Sequence, residues 1–144
     1  HLIMGVFEIK PNLEALELGE IKPSEKILDL AFGTGWVLEK MIEKINPEKK
    51  IHGIDFAEGM HKVTLDRLKK KNIQDMIILT KADVLKMPYK KNTFDVVFGS
   101  FILDLQKIKN IQILLKEIKR VLKPNGRAVI VAMCKEGEGI KKIS

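Results

Sequence analysis

The stretch from Lys26 to Gly35, KILDLAFGTG, constrains this chain most: an apolar run stops at a turn with two glycines. Beyond the turn, residues 37, 38, 41, 42 and 45 are apolar, which is the spacing of one helix face. A buried strand, a Gly-x-Gly turn and a helix place backbone N–H groups at a helix N-terminus. That layout can hold a nucleotide-like ligand at the mouth of a parallel sheet. Gly33 and Gly35 let the backbone approach such a ligand closely.

The remaining chain alternates in the same way. Further strands are predicted over 50–55, 76–82, 94–99 and 127–133, after a first strand over 26–30. Helices are predicted over 12–18 with Gly19 as C-cap, 36–45 stopped by Asn46-Pro47, 58–71 and 108–122. The apolar face of the 58–71 helix is read as Met60, Val63, Leu65 and Leu68. Residues 84–92 read as a loop and Pro124-Asn125-Gly126 as a turn. Residues 135–144 show no periodicity and are expected to form a flexible tail. The alternation predicts an α/β fold, a doubly wound parallel sheet. Right-handed crossovers then gather the residues after each strand at one edge: 31–35, Asp55 with Phe56, Asp83 with Val84, and Ser100 to Asp104.

With 144 residues, 45% hydrophobic and 31% charged, the chain reads as one domain, 1–144, in which 1–25 form a helix and connector. Its longest apolar runs, such as Ala128 to Cys134, are too short to span a bilayer. The first residues lack a basic-then-apolar leader pattern, so the location is read as cytoplasmic; His1 is not a natural start. The lone Cys134 leaves no internal disulfide and no cysteine-based zinc cluster, and it reads as a buried thiol more readily than as a nucleophile. No metal site is read. The net charge is +7, yet all the basic residues except Arg67, Arg120 and Arg127 are lysines, scattered mostly at predicted turns. Phosphate and base readers favour Arg forks, so nucleic acid is not the expected partner and a solvated lysine surface is.

Asp55 adds specificity. It ends the second predicted strand twenty residues after Gly35, where a carboxylate can accept both hydroxyls of a ribose. A dinucleotide fingerprint would require a small residue at 38, or at 36 in the other register; the chain has Leu38 and Trp36. The pattern is small-x-Gly-x-Gly instead.

The stretch Ile27-Leu28-Asp29-Leu30-Ala31-Phe32-Gly33-Thr34-Gly35 resembles motif I of the class I S-adenosylmethionine-dependent methyltransferases. Gly53 to Met60 resembles their acidic motif, Lys81 to Tyr89 the adenine-contacting segment, Asn92 to Val97 the motif of the next strand, and Leu115 to Arg127 the entry to the last one. The nearest group is that of the ubiquinone and menaquinone C-methyltransferases and related small-molecule enzymes. The resemblance implies a Rossmann-like sheet of strand order 3-2-1-4-5. It implies S-adenosylmethionine as cofactor, S-adenosylhomocysteine as product, and a small-molecule methyl acceptor. It places Ala31, Phe32, Gly33, Thr34 and Gly35 around the methionine part, and Asp29 beneath it near the ammonium. Asp55 falls on the ribose, Phe56 and Met60 on the adenine, Asp83 on the adenine amino group and Val84 N–H on a ring nitrogen. Ser100 and Phe101 lie near the sulfonium.

Two positions depart from the family pattern. Ala31-Phe32 stands where Gly-Cys is common, so Phe32 is expected to add bulk beside the cofactor. Asp104-Leu105 stands where many relatives have a His pair. Asp104 can be read as orienting or deprotonating an acceptor, or as a solvated or helix-capping residue. The chain also stops shortly after its last strand, so the family's C-terminal hairpin is expected to be missing and the fifth strand to be an open edge. A homodimer, another partner or the tail would then cover it, or the chain is a fragment. Methyl transfer to a small molecule stands as the first reading. A cofactor-binding module inactive alone is the alternative, and a nucleotide-binding oxidoreductase or an RNA-binding protein a distant third.

Overall fold

A computed structural model describes residues 2–4, 9–100, 102 and 106–132, with side chains from Asn12 onward. The elements are β1 (Leu2–Met4), α1 (Ile9–Leu18), β2 (Ile27–Leu30), α2 (Trp36–Ile45), β3 (Ile51–Asp55), α3 (Glu58–Lys70), a 3-10 turn (Gln74–Met76), β4 (Ile77–Lys81), β5 (Phe94–Ser100), α4 (Ile108–Val121) and β6 (Leu122–Ala132). The six strands form one parallel sheet ordered β1-β6-β5-β2-β3-β4.

Five of these strands run in the expected order 3-2-1-4-5. The sixth corrects the expected open edge: β1 lies beside β6 in the register Leu2↔Ile130, Ile3↔Val131, Met4↔Ala132. The chain's own N-terminal strand therefore lies along that edge at Ile130 to Ala132. Cys134 and the expected tail lie outside the described residues.

Both faces of the sheet are buried, which explains its nearly continuous apolar strands. Side chains alternate between faces. Ile27, Ile51, Val96, Phe98, Val129 and Val131 pack with residues of α1, α2 and α3. Leu28, Leu30, Ile54, Val97, Ala128 and Ile130 pack with α4 and the 84–89 loop. By the same alternation Asp29 points with Ile27 toward the α1–α3 layer. It is 1% exposed on a central strand.

The expected turn at 124–126 is instead a bulge inside β6. The register jumps from Phe94↔Leu122 to Val96↔Arg127. Gly126 is required there, because a Cβ would meet the Asp95 and Lys123 carbonyl oxygens at 3.0 Å. Helix α1 ends at Leu18, Gly19 N–H donates to the Ala15 carbonyl at 2.9 Å, and Glu20 after it takes the left-handed conformation, with φ 47°. Arg127 reaches from β6 to donate to the Gly19 carbonyl at 2.8 Å and the Glu20 carbonyl at 3.0 Å. The same guanidinium holds Glu25 bidentately at 2.7 and 2.8 Å. Helix α2 ends as expected at Asn46, φ 51°, whose N–H donates to the Ile42 carbonyl.

The Arg127 hydrogen bonds lower the Glu25 pKa; burial opposes this and is outweighed. Arg127→Met should therefore lose about 2–3 kcal/mol of unfolding free energy at neutral pH in urea titrations. A lowered carboxylate pKa stabilises above the ordinary glutamate pKa and ceases to do so as pH falls through the folded value. The gap between wild type and variant should accordingly narrow in acid.

Candidate functional site

The Gly-rich loop connects β2 to α2 at the C-terminal edge of the sheet. It leaves β2 by Ala31 N–H donating to the Ile54 carbonyl at 2.7 Å. Three residues then hold it. Asp55 Oδ2 accepts from Gly33 N–H at 2.9 Å. Thr64 Oγ1 donates to the Gly33 carbonyl at 2.8 Å. Arg67 Nε donates to the Thr34 carbonyl at 3.0 Å. Gly33 is left-handed at φ 55°, and a Cβ there would meet nothing nearer than 4.0 Å, so this side of the loop is open. Gly35 is left-handed at φ 84° and packs on Thr64, whose Cγ2 would lie 2.6 Å from a Cβ. No side chain caps α2, so the N–H groups of its first turn keep their positive end toward the loop.

Asp55 Oδ1 accepts from Ala57 N–H at 2.9 Å, so its carboxylate is fixed by two backbone donors. Asp29 is unlike it: its Oδ2 is buried with no hydrogen-bond partner. Burial, with the Asp55 charge as the smaller cause, holds its pKa well above the usual carboxylate range. Glu39 on α2 shows the compensated case. It is 4% exposed and paired with Arg67 at 3.0 Å and Lys71 at 2.7 Å. Burial pushes its pKa up, but the Lys71 and Arg67 hydrogen bonds and charges prevail and hold it low.

Beside the loop opens a cleft of about 250 Å³, lined by Ala31, Asp55, Phe56, Ala82, Asp83, Val84, Ile102 and Gln106. Four of the sequence-predicted residues, Asp55, Phe56, Asp83 and Val84, meet Ala31 there. Phe56 is 71% exposed on the rim. Asp83 Oδ1 accepts from Leu85 N–H at 2.9 Å, so the residue also caps its own turn. Gly33, Thr34 and Gly35 form the adjoining loop, and Ser100 ends β5 opposite Val131 without lining the cleft.

Two expectations need correction. The Phe32 side chain does not stand beside the cleft; it is 4% exposed, packed in the core, with its ring edge-on to His61 at 4.9 Å. Met60 is half-buried against the same core and lines no part of the cleft. Phe101, Asp104 and Leu105 lie outside the described residues. Sequence reasoning missed Thr64, Arg67, Ile102 and Gln106. The α3 face was assigned to Met60, Val63, Leu65 and Leu68, whereas its buried residues are Thr64 and Leu68, and Val63 is 41% exposed. Thr64 and Arg67, three apart and so on one helix face, were the available signal.

Ala31 also sits at φ 52°, a left-handed position that costs a residue with a Cβ about 1–2 kcal/mol. Ala31→Gly should raise stability by roughly 0.5–1 kcal/mol, the strain relief less the added unfolded-state entropy. Thr64→Val should lower it by about 1 kcal/mol or more, because the Gly33 carbonyl loses its donor. Thermal unfolding of both variants checks these opposite signs.

A family model described as "Methyltransferase domain" matches residues 27–126. The ubiquinone/menaquinone biosynthesis C-methyltransferase of Ectopseudomonas mendocina is 33% identical over 122 residues, covering 85% of this chain and 47% of its own. The demethylmenaquinone methyltransferase of Symbiobacterium thermophilum is 33% identical over 114 residues, covering 79% and 45%. The chain thus spans about half the length of these curated relatives. Among solved structures, a phosphoethanolamine N-methyltransferase of Haemonchus contortus superposes with a TM-score of 0.74 at 26% identity, over 85% of this chain and 28% of that one. A Methanococcus maripaludis protein with a TM-score of 0.73 and 20% identity, over 83% and 53%, shares the fold. The glycine loop, the acidic strand ends and the matched model agree: this chain belongs to the S-adenosylmethionine-dependent methyltransferase family, in its class I, Rossmann-like form.

Proposed function

We propose that this chain binds S-adenosylmethionine at the Gly-loop cleft and serves methyl transfer to a small, quinone-like acceptor. The observation that carries the reading is Asp29: a buried carboxylate without a partner, next to a loop whose Gly33 side is open. Such a group is costly unless a cation completes it, and the amino-acid end of the cofactor brings an ammonium. Asp29 is proposed to hold that ammonium. The Ala31–Gly35 backbone and the uncapped start of α2 suit the accompanying carboxylate. Asp55 keeps unused lone pairs for ribose hydroxyls. Phe56 on the rim offers its ring to the adenine, Asp83 its second oxygen to the amino group, and Val84 its N–H. Phe32 and Met60 support the site through the core. Ser100 is proposed to stand near the sulfonium.

When bound, the cofactor supplies an activated methyl group. The protein's own contribution is to align an acceptor in line with it and exclude water, and such positioning can be worth roughly 7–11 kcal/mol. The quinone-like acceptor rests on the named activities of the relatives. The half-length coverage favours a second reading, in which this is the cofactor-binding part of a longer enzyme and is silent alone. Calorimetry with S-adenosylhomocysteine and NAD, each alone, tests the cofactor. Binding of NAD and not S-adenosylhomocysteine would overturn the reading. Labelled-methyl transfer to a panel of quinone precursors then separates the two readings, because tight cofactor binding without turnover favours the second. Asp55→Ala should weaken S-adenosylhomocysteine binding by at least about tenfold, since it removes a charged acceptor of two hydroxyls.

Asp29 gives a pH signature. Its raised pKa means that the free protein holds a proton there readily. An ammonium favours the ionised form, so cofactor binding must lower that pKa and expel the proton. S-adenosylhomocysteine affinity should therefore rise with pH through the free-state pKa of Asp29. Calorimetry in two buffers of different ionisation heat should show net proton release. Asp29→Asn should bind more weakly and release none; equal release by the variant would contradict the assignment.

A further inference from the structure

Folding gathers lysines that are scattered along the sequence. At the N-terminal ends of the strands, the pole opposite the Gly-loop, lies a second cleft of about 540 Å³. Its lining includes Lys26 before β2, Lys90 and Lys91 from the β4–β5 loop, and Lys123 from the β6 bulge, together with Asn92 and Thr93. Four lysines from three segments thus line one cleft, and its lining holds no acidic residue. Asp95 is 3.3 Å from Lys123 and already accepts from Lys26 N–H at 2.8 Å. Lys49 also acts on Asp95. One carboxylate cannot neutralise this group. The excess is felt inside the sheet: burial, and then the Lys26 charge, push the His52 pKa down.

We propose that this cleft binds an oligophosphate, a small free ligand with two or more linked phosphates. Lysines are strong point-charge partners for phosphate oxygens. One phosphate satisfies only part of a four-lysine ring, whereas a linked chain can meet several at once. The volume lies in the usual small-ligand range of about 300–1,000 Å³. Two macromolecular partners fit less well. Single-stranded nucleic acid needs exposed aromatic platforms, and Tyr89 is instead half-buried edge-on against Phe94 at 5.0 Å and His52 at 6.0 Å. A membrane surface needs a broad apolar face, and here Pro88 and Tyr89 are set among four lysines, Asn92 and Thr93.

Inorganic tripolyphosphate, titrated calorimetrically into the intact chain at low salt, should bind with a stoichiometry of one and weaken as salt is raised. Lys90→Gln/Lys91→Gln should lower its affinity by about tenfold or more, with S-adenosylhomocysteine binding unchanged. The control Lys107→Gln/Lys109→Gln removes equal charge beside the other pole and should leave tripolyphosphate affinity within about twofold, as expected for screened distant charges. The His52 ring resonances give a local readout: a bound anion offsets the Lys26 charge, so the His52 pKa should rise. Equal losses in both double variants would overturn the proposal, because the effect would then be net charge alone. So would absence of tripolyphosphate binding, or binding confined to anionic-lipid vesicles or single-stranded RNA.

Discussion

The bond from Gly33 N–H to Asp55 joins the ends of two neighbouring parallel strands, and the cleft depends on it. Parallel strands finish at the same edge, so β3 can set the shape of the loop leaving β2. Two carbonyl–amide bonds from Ile54 and one carboxylate–amide bond from Asp55 fix the first three loop residues in turn. The carboxylate bond is charge-assisted and belongs to the stronger class of hydrogen bonds. Both loop glycines are left-handed, Gly33 at φ 55° just after the bond to Asp55 and Gly35 at φ 84° where α2 starts against Thr64. The loop is shaped before any ligand arrives, which limits the ordering cost of binding.

The site also holds a buried carboxylate that the protein leaves without a partner. Asp29 and Glu39 are comparably buried carboxylates on successive elements, β2 and α2. Glu39 is matched by two cations and stitches α2 to α3, while Asp29 faces the core with one oxygen unpaired. An apolar residue at 29 would suit the central strand better, since lone buried charges are among the most expensive groups in a fold. Uncompensated burial of this kind marks a functional site when it lies beside a cleft, because the missing partner then has somewhere to enter. The Asp29–Asp55 repulsion acts in the same direction: it raises the gain from a cation at Asp29 without disturbing the backbone bonds that hold Asp55.

Much of this was legible in the sequence because it rests on local patterns. The β2 strand, the glycine turn and the amphipathic α2 each announce themselves within ten residues, and Asp55 stands at the end of its own strand. What was not legible depends on pairing at long range. Leu2–Met4 becomes a strand only because β6 offers it an unpaired edge. The bulge at 124–126 shows only in the pairing with β5, whose register shifts between Phe94 and Val96. Arg127 caps α1 from more than a hundred positions away. Helix α3 misled for another reason. Its packed face is partly polar, since Thr64 and Arg67 donate to backbone carbonyls of the loop while Met60, Leu65 and Leu68 pack on the core, so counting apolar residues finds the core positions and leaves out the polar ones. The lysine cleft was hidden in the same way, by distance along the chain.

Phe32 shows how a departure from the family pattern is absorbed. A large ring in the glycine loop has two places to go, the cleft side or the core. Here it enters the core, and the room comes from β3: a Cβ on Gly53 would lie 3.0 Å from Phe32 Cδ2 and 3.3 Å from Leu38 Cδ1. The missing side chain at 53 and the added one at 32 are complementary volumes, and His61 closes the remaining side edge-on. His61 also contacts the Asp55 carbonyl at 3.2 Å, so the ring that fills the core leads directly back to the residue that holds the loop. Bulk at position 32 therefore need not narrow the cleft. It fills the core beneath it, where a side chain at 53 would crowd Phe32, Leu79 and Leu38 and require these side chains to give way by a few tenths of an ångström.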